Sequence, residues 1–534
     1  MSAGIDRATL LRALQEADAY PHPVRGIEHL ETHISDVFLA GDYAYKLKKP
    51  LNLGFLDFST LERRRHCCEE ELRLNRRLAP ELYLAVVPIA GSASNPRIGG
   101  EGPIFDYAVQ MRQFDQSGLL ERVAARGELT AAAVDELADQ VAEFHAGLPA
   151  APPESDYGTA AQIIGPALQN FEQLQPLLDG DAERTALRRL CDWTAMQHRE
   201  LKGLFEARRR DGLVRECHGD LHLGNIVLID GRVRIFDCIE FNPQLRWIDV
   251  INEAAFLAMD LIQRGYAGFA FRFVNRYLEH TGDYAGVRLL RYYMVYRALV
   301  RAKVAAMRAA QSGAEASVQA ALQAKCRAHI ELAGRISRAT RPMLFIMHGL
   351  SGSGKTVISQ IALEALGAIR IRSDVERKRL HGLAAGARTS SGMGEGIYAA
   401  SAGRATYDRL AALAEQILAA GLPVLVDATF LKRDQREQFR ALAMKHSVSF
   451  AIFDMRAAEA TLRRRIAQRV AAGADASEAS EAVLELQLAS QEPLTDQEQT
   501  WSRTFDSEAA MPADIARRIL EAARSIGAAG RSLS

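Results

Sequence analysis

The sequence is poor in cysteine, and its few cysteines are scattered. Only six of the 534 residues are cysteines, and no Cys-x-x-Cys pair occurs. A zinc ribbon needs two such pairs, and a disulfide-stapled secreted domain needs a far higher cysteine density. The composition therefore excludes both classes and predicts reduced thiols in a cytoplasmic protein.

The sequence also has no net charge and no long apolar run. Its 66 basic and 66 acidic residues cancel, so no global field gathers a polyanion, and nucleic acid stays open only as a local substrate. No run approaches the roughly 18 apolar residues that a membrane span needs. The N-terminal segment contains acidic side chains and no apolar h-region of a signal peptide. We therefore expect a cytoplasmic protein with no membrane partner, and the sequence leaves its oligomeric state open.

The chain is long enough for more than one hydrophobic core. Of its 534 residues, 48% are hydrophobic and 25% are charged, as in globular proteins of two or three domains. A helix-rich tract ends near Arg338, and a new apolar strand begins at Met343. These features predict a domain of residues 1–338, a second domain of residues 339–525 and a flexible tail of residues 526–534.

The order of strands and helices predicts a different fold class for each domain. The first domain begins with short alternating strands around DVFLAGDYAYKLKK, and helices follow. This order predicts a bilobal α+β domain with a small β-rich lobe and a larger α-rich lobe. In the second domain the apolar strands MLFIMHGL, AIRIRSD, PVLVDATF and SVSFAIFDM alternate with helical patterns. This alternation predicts an α/β domain, in which helices sandwich a parallel sheet.

The strongest motif follows the first of these apolar strands. It fits the P-loop pattern GxxxxGK[ST] and consists of Gly349, Leu350, Ser351, Gly352, Ser353, Gly354, Lys355 and Thr356. Glycines let backbone N–H groups approach a phosphate closely, and the N-terminus of the following helix favours negative charge. We predict that the motif binds ATP. Lys355 would reach the β- and γ-phosphates, and the Thr356 hydroxyl would bind Mg²⁺.

Polar residues at the ends of two later strands predict an acceptor and metal site beside the P-loop. Asp374 and Arg377 follow the strand AIRIRSD, and Asp427 ends the apolar part of PVLVDATF. Ligands of open α/β sheets bind at this edge. Asp374 would accept a proton from the attacking hydroxyl, Arg377 would steady the acceptor, and Asp427 would organise Mg²⁺. The alternative is that the two acids cap a helix and a strand end.

The helical run TLRRRIAQR places Arg465 and Arg469 one helical turn apart. Their guanidinium groups would close over the transferred phosphate as a lid. A solvated helix face is the alternative for any single arginine.

Four segments of the second domain together point to a family. GLSGSGKT, SDVERKR, VLVDATF and LRRRIAQR resemble the P-loop kinase-like family that includes polynucleotide 5′-kinases, gluconate kinases and zeta-type toxins. The resemblance implies a phosphoryl-donor site with an acceptor hydroxyl near Asp374. It does not identify the acceptor.

A second constellation of polar residues lies in the first domain. Asp220 and Asn225, in HGDLHLGN, have the spacing of the kinase pattern D-x-x-x-x-N, and the predicted hairpin IVLIDGRVRIFD ends at Asp237. Asp220 would orient or deprotonate the acceptor hydroxyl, and Asn225 with Asp237 would hold Mg²⁺ on the nucleotide phosphates. The alternative is a polar turn between a helix and a hairpin.

An upstream lysine and a glutamate complete this second site. In YAYKLKK, Lys46 stands two residues after an alanine, as the lysine does in the kinase sequence V-A-I-K. Lys48 lies on the same strand face. The helix that follows offers three consecutive glutamates. We predict that Glu70 pairs with the lysine, because it aligns with Leu74 and Leu78 on one helix face.

The first domain also resembles a known family. YAYKLKKP, EEELRLNRRL, HGDLHLGN and IFDCIEFNP look like the aminoglycoside phosphotransferase-like branch of the protein-kinase-like fold, over residues 25–310. The resemblance implies a second site for ATP and Mg²⁺, but it does not imply antibiotic resistance. One feature departs from kinases, since no G-x-G-x-x-G loop precedes the lysine strand and only Gly41 stands there in a Gly-Asp turn.

These patterns leave three hypotheses for function. The preferred one is a bifunctional phosphotransferase that transfers the γ-phosphoryl group of ATP to a hydroxyl of a small molecule or a nucleic-acid end, with Mg²⁺ as cofactor. The second is a non-catalytic or regulatory ATP-dependent switch whose first domain binds a metabolite. The third makes the second domain a polynucleotide kinase that acts on 5′-hydroxyl ends, and Asp374 with Arg377 is its only direct support.

Overall fold

The computed structural model of this chain describes residues 6–52, 54, 56–310, 315–338, 342–384, 387, 400–472, 480–507 and 512–529. The chain divides into two compact units. The first comprises Met1–Ala133, Phe144–Asp260 and Tyr296–Ala333, and the second comprises Val134–Glu143, Leu261–Val295 and Gly334–Ser534. Within the described residues, no helix combines the length and the apolar character that a membrane crossing requires.

A six-stranded antiparallel sheet forms the N-terminal part of the first unit. Its strands are β1 (Ile27–Glu31), β2 (Ser35–Ala40), β3 (Tyr43–Lys48), β4 (Tyr83–Ser92), β5 (Asn95–Ile98) and β6 (Ile104–Arg112), in the order β1-β2-β3-β6-β4-β5. Helix α1 (Arg7–Ala13) precedes the sheet, and helix α2 (Leu61–Asn75) packs against β4 and β6. Alternate residues of the strands face opposite ways, so Phe38 and Leu47 join Leu10 in one apolar cluster while Leu39 and Ala44 join another.

Helices and two small sheets make up the C-terminal part of the region that was predicted to be the first domain. Its elements are α3 (Leu120–Ala125), α4 (Ala131–Gly147), α5 (Ala160–Leu174), α6 (Asp181–Arg210), β7 (Val214–Glu216), β8 (Ile226–Ile229), β9 (Arg232–Ile235), β10 (Trp247–Asp249), α7 (Val250–Gln263), α8 (Ala267–Thr281), α9 (Val287–Ala309) and α10 (Ala316–Ser337). The hairpin β8–β9 turns at Asp230 and Gly231, which both have positive φ angles, as a type I′ turn requires. Helix α8 lies wholly in the second unit.

A five-stranded parallel sheet is the centre of the second unit. Its strands are β11 (Met343–His348), β12 (Ile369–Arg372), β13 (Val424–Asp427), β14 (Ser449–Arg456) and β15 (Ser502–Asp506), in the order β12-β13-β11-β14-β15. The helices after β11 are α11 (Lys355–Leu366), α12 (Ser373–Leu380), α13 (Ala400–Ala419), α14 (Arg433–Lys445), α15 (Glu459–Ala472), α16 (Glu481–Ser490), α17 (Asp496–Trp501) and α18 (Pro512–Ala529). The predicted fold classes are confirmed, and β15 is a strand that the sequence analysis missed because only Phe505 in it is buried.

The spatial units do not follow the predicted domain boundaries in every part of the chain. The second unit includes residues 134–143 and 261–295, which the sequence analysis assigned to the first domain. The last helix reaches Ala529, so the predicted start of the tail at 526 falls inside it. The boundary residues 339–341 and the tail residues 530–534 lie outside the described part of the chain, so the boundary at 339 and the flexible tail stay predictions.

Candidate active sites

The P-loop joins strand β11 to helix α11 through a turn that requires glycine. Gly349, Gly352 and Gly354 have φ angles of 137°, 83° and 86°, in a region where residues with a side chain are strained. A Cβ atom at Gly349 would lie 2.6 Å from the carbonyl oxygen of Met455, and one at Gly352 would lie 2.9 Å from that of Leu462. The predicted strand–loop–helix arrangement is confirmed.

Two polar groups of the P-loop have partners within the protein, namely the Lys355 ammonium and the backbone N–H of Ser351. The Lys355 ammonium donates hydrogen bonds to the carbonyl oxygens of Gly349 at 2.9 Å and Leu350 at 2.7 Å. The backbone N–H of Ser351 donates to the side-chain oxygen of Gln487, on helix α16, at 2.8 Å. A phosphate that binds here would therefore have to displace the Gln487 oxygen and draw the lysine away from its loop.

Burial controls the charge of Lys355. Removal from water disfavours the ammonium form and lowers the pKa of Lys355 to about 8, although the carboxylates of Asp427 and Asp374 act in the opposite direction. A bound anion would raise this pKa again. Binding of an anion and protonation of Lys355 are therefore linked.

A pocket of about 450 Å³ lies beside the P-loop and collects most of the residues predicted for the second domain. Five of the eight P-loop residues line it, namely Ser351, Gly352, Gly354, Lys355 and Thr356. The other predicted residues of this domain also line it: Asp374, Arg377, Asp427, Arg465 and Arg469. Three P-loop residues are not among its described lining, namely Gly349, Leu350 and Ser353. The fold thus brings the predicted donor, acceptor and lid residues to one cavity.

Asp427 ends strand β13 and is tied to the P-loop helix. Its carboxylate accepts a hydrogen bond of 2.9 Å from the hydroxyl of Ser359 on α11, and only 6% of the residue is exposed. Thr356 lines the same pocket. Hydroxyl and carboxylate oxygens are the ligands that Mg²⁺ prefers, so Thr356 and Asp427 fit a magnesium site.

Asp374 lies in the first turn of helix α12 and pairs with Arg377. The N-cap of this helix is Arg372, so the alternative in which Asp374 is the helix cap is wrong. Arg377 Nη1 donates a hydrogen bond of 3.0 Å to Asp374 Oδ1. The pair offers one carboxylate and one guanidinium to an acceptor at the carboxyl edge of the sheet.

The predicted arginine lid belongs to helix α15, which lines the pocket together with helix α16 and residues of other helices of the unit. Arg465 on α15 donates hydrogen bonds to the Ser507 hydroxyl at 2.7 Å and to the Ser507 carbonyl at 3.0 Å, and Arg469 lines the pocket. Helix α16 contributes Gln487. The sequence analysis missed α16, although its apolar residues Leu484 and Leu488 have helical spacing and join the apolar cluster of α15.

Buried side chains of the first unit hold the loop that carries Asp220 through hydrogen bonds. The backbone N–H groups of His218 and Gly219 donate to the Glu253 carboxylate at 3.0 and 2.6 Å. Asn225 Nδ2 donates to the backbone and side-chain oxygens of Asp220, both at 3.0 Å. With its nitrogen engaged in this way, the Asn225 amide keeps its oxygen as the acceptor that a metal ion needs.

Asp220 is held in its ionised form. Burial alone would raise the pKa of this carboxyl, but His222 and Arg301 outweigh burial and hold the pKa well below its usual range. A carboxylate with so low a pKa is a weak base. Of the two roles predicted for Asp220, orientation of an acceptor hydroxyl therefore fits the structure better than proton removal.

The lysine strand and helix α2 correct one sequence prediction. The Lys46 ammonium donates to Glu71 Oε1 at 2.8 Å and also contacts Asp237, whereas Lys48 contacts Glu71 and Glu240. Glu71, and not the predicted Glu70, is therefore the partner of Lys46. Burial alone would raise the pKa of Glu71, but the charges of Lys46 and Lys48 outweigh burial and lower this pKa to about 2.

The physical reason lies in which face of α2 turns inward. Successive helix residues point about 100° apart, and the buried positions of α2 include Cys67, Glu71 and Leu74. Glu70 points elsewhere and accepts hydrogen bonds from Arg73 at 2.8 Å and from Arg246 at 3.0 Å. The spacing of four and three from Cys67 through Glu71 to Leu74 is a helical signal for Glu71, but the spacing of Glu70, Leu74 and Leu78 is helical too, so the sequence does not choose between the two glutamates.

A second pocket, of about 240 Å³, lies beside Lys46 in the first unit. Three predicted residues line it, namely Lys46, Asn225 and Asp237, together with apolar side chains: Val37, Leu39, Ala44, Met111, Phe114 and Phe236. Apolar walls next to a lysine and two oxygen ligands suit a flat heterocyclic ring joined to phosphates. The residues of this pocket fit both a nucleotide and a Mg²⁺ ion.

Family models match both parts of the chain. Residues 57–290 match the model described as "Phosphotransferase enzyme family", and residues 344–494 match the model described as "AAA domain". The first match contains Asp220, Asn225 and Asp237, and the second contains the P-loop. Lys46 lies before the first matched segment. The predicted resemblances to a phosphotransferase family and to a P-loop family are confirmed.

Relatives of similar length exist in mycobacteria. Uncharacterized protein Rv2004c of Mycobacterium tuberculosis is 30% identical to this chain over 459 residues, which are 85% of this chain and 89% of the relative. The alignment is long enough to include both matched segments. The name of the relative assigns no activity.

Solved structures resemble the two parts separately. A gluconokinase from Sinorhizobium meliloti 1021 is 22% identical and aligns with 36% of this chain and 99% of its own, with a TM-score of 0.26. A choline/ethanolamine kinase family protein from Mesorhizobium loti is 12% identical and aligns with 62% of this chain and 99% of its own, with a TM-score of 0.36. Both TM-scores are low, so neither likeness supports a conclusion about this chain.

Replacement of Glu71 by glutamine is expected to weaken ATP binding in the first unit, because Lys46 loses the carboxylate that holds it. Loss of one partner from a buried ion pair is also expected to lower the free energy of unfolding by about 3–5 kcal/mol. Urea denaturation and equilibrium ATP binding measure the two effects, in a Lys355→Ala background that removes binding at the P-loop. Glu70→Gln is the matched control, with an expected change within about 1 kcal/mol, since Arg73 and Arg246 keep Glu216 as a partner. Equal effects of the two substitutions would contradict the assignment of Glu71.

ATP affinity at the P-loop is expected to fall as the pH rises through about 8. Below that pH Lys355 is charged in the free protein, whereas above it the lysine must take up a proton when the phosphates bind. One linked proton corresponds to a limiting change of about tenfold per pH unit. The measurement is the dissociation constant of ATP across this pH range, in a Lys46→Ala background. Lys355→Met cannot take up the proton, and an unchanged pH profile in that variant would disprove the role of Lys355.

Proposed function

The chain belongs to the same family as the mycobacterial relative, and we propose that it is a bifunctional kinase with one ATP site in each unit. Its class is that of an ATP-dependent phosphotransferase, because one matched family consists of phosphotransferases and the other contains the P-loop. The single observation that supports the bifunctional form is that each unit has its own pocket with a lysine and oxygen ligands for a metal.

In the second unit, the residues around the P-loop pocket divide into donor and acceptor groups. Backbone N–H groups of the loop and Lys355 would hold the β- and γ-phosphates. Thr356 and Asp427 are the proposed ligands of Mg²⁺. When it is bound, Mg²⁺ would neutralise charge on the phosphates. Asp374 would accept the proton of the acceptor hydroxyl, with Arg377 beside it. Arg465 and Arg469 would stabilise charge on the transferred group.

In the first unit, Lys46 would contact the phosphates of the nucleotide while Glu71 holds it in place. Asn225 and Asp237 are the proposed ligands of Mg²⁺. The ionised Asp220 would orient the acceptor hydroxyl toward the γ-phosphate. Apolar side chains of β2, β3 and β6 would cover the adenine ring.

We propose a small-molecule hydroxyl as the acceptor in both units. The chain has no net charge to gather a polynucleotide, and the P-loop pocket has the volume of a small-molecule site. A polynucleotide 5′-hydroxyl is the alternative acceptor of the second unit, for which Asp374 and Arg377 remain the support. The cytoplasmic location stays a prediction from the cysteines, all six of which are free.

Labelled ATP and a panel of sugars, amino alcohols, aminoglycosides, nucleosides and 5′-hydroxyl oligonucleotides test the proposal. Asp220→Ala is expected to lower transfer to one acceptor by about 10²-fold, because the acceptor hydroxyl loses its orientation, and to leave transfer to a second acceptor unchanged. Lys355→Ala and Asp374→Ala are expected to have the opposite pattern. Glu70→Gln, outside both pockets, is the control for general damage. If ATP binds while no acceptor is labelled, the bifunctional kinase fails in favour of a regulatory switch.

A further inference from the structure

Helix α8 covers an edge of the parallel sheet in the second unit. Strand β12 is at the end of the strand order, and no strand of the described residues lies on its outer side. The side-chain amide of Asn275, on α8, accepts from the backbone N–H of Arg370 at 2.5 Å and donates to the carbonyl of Ala368 at 2.9 Å. Only 1% of Asn275 is exposed. This amide thus replaces the hydrogen bonds that a further strand would make.

One turn along the same face of α8, Glu279 binds the side chains of β12. Its carboxylate accepts hydrogen bonds from Arg370 Nη2 at 2.7 Å and Nε at 3.1 Å, and its other oxygen lies 3.5 Å from Arg372 Nη1. Arg379 of α12 donates to the backbone carbonyl of Glu279 at 2.7 Å. Burial alone would raise the pKa of Glu279, but Arg370 and Arg372 hold it below its ordinary value. Glu279 therefore fixes two arginines of the strand that leads to Asp374.

The contact continues from Glu279 to the P-loop pocket through Arg370. Arg370 Nη1 donates to the Ser359 hydroxyl at 3.2 Å, and that hydroxyl donates to Asp427 Oδ2 at 2.9 Å. The same hydroxyl lies 3.0 Å from the carbonyl oxygen of Thr356. Because the guanidinium donates to the hydroxyl oxygen, the single hydroxyl proton is left for one of these two acceptors, of which the Asp427 carboxylate is the charged and slightly nearer one. The side chains of Arg370, Ser359 and Asp427 are all buried.

We propose that Glu279 is a positioning residue of the P-loop site, which acts on Asp427 through Arg370 and Ser359. Helix α8 is then a working part of the P-loop kinase unit, although it lies within the segment that matches the phosphotransferase family. The proposal rests on the proposed role of Asp427 as an organiser of Mg²⁺. Partners that orient a metal-binding carboxylate affect metal affinity even when they do not touch the metal.

The test compares ATP binding by the full-length protein in Mg²⁺ and in EDTA, in a Lys46→Ala background that removes the first site. The ratio of the two dissociation constants is the Mg²⁺ enhancement. Glu279→Gln is expected to reduce this enhancement by about tenfold, with ATP affinity in EDTA nearly unchanged. Ser359→Ala, which removes a single hydroxyl, is expected to reduce it by a similar factor.

Glu364→Gln is the matched control, because Glu364 also joins α8 to the rest of the unit. Its carboxylate accepts from Arg272 of α8 at 2.8 Å and from Gln360 at 2.8 Å, so it is not part of the route to Asp427. We expect Glu364→Gln to lower the thermal midpoint and to leave the Mg²⁺ enhancement intact. Equal enhancement in Glu279→Gln and Glu364→Gln would overturn the positioning role and leave Glu279 as a structural residue.

A double-mutant cycle tests the route itself. If Glu279 acts through Ser359, the enhancement in the double variant Glu279→Gln, Ser359→Ala equals that of Ser359→Ala alone. If the two single effects on the enhancement instead multiply in the double variant, the route through Ser359 is overturned. If Glu279→Gln does not fold, an unchanged enhancement in Ser359→Ala still overturns it. If the Lys46→Ala protein without these substitutions shows no Mg²⁺ enhancement, the proposed function of the P-loop site fails, and this inference fails with it.

Discussion

Buried charges in this protein are stabilised by neighbours of opposite sign, and both candidate sites depend on this constraint. In the first unit, Glu71 lies between Lys46 and Lys48, which in turn contact Asp237 and Glu240. A charge without a partner costs several kcal/mol when it leaves water, so Lys46, Lys48, Glu71 and Glu240 depend on one another, and Asp237 extends the set to the half-exposed side. Strand β3, helix α2 and the segment after the β8–β9 hairpin are thereby held in one arrangement around the nucleotide pocket.

In the second unit, a neutral hydroxyl connects the paired charges of Glu279 and Arg370 to a second carboxylate. Glu279 neutralises Arg370, and the hydroxyl of Ser359 joins Arg370 to the carboxylate of Asp427. Lys355 has no comparable carboxylate contact among its hydrogen bonds to the loop carbonyls, and burial lowers its pKa to about 8. Burial alone would lower the pKa of Lys46, but Asp237 and Glu71 outweigh it and raise this pKa well above its ordinary value. The charge on the P-loop lysine depends instead on the anion that binds.

Helix α8 shows that a family match along the chain and a packed unit in space are different descriptions of a protein. The match to the phosphotransferase family extends over α8, yet the polar contacts of Asn275 and Glu279 are with strand β12 of the P-loop unit. Without these contacts, the strand edge and the buried guanidinium of Arg370 would each lose partners. The P-loop unit is therefore complete only with a segment that precedes its first strand by more than sixty residues.

Local spacing was sufficient to predict the P-loop, the catalytic-type loop from Asp220 to Asn225 and four of the five parallel strands, because each depends on residues close together in the chain. The partner of Lys46, the contribution of α16 and the role of Glu279 were decided only by the tertiary structure. Glu70 and Glu71 are adjacent and chemically identical, and the sheet alone selects which one is buried. Likewise, nothing near Glu279 in sequence indicates that it faces two arginines about ninety residues later, since their pairing follows from the packing of α8 on β12.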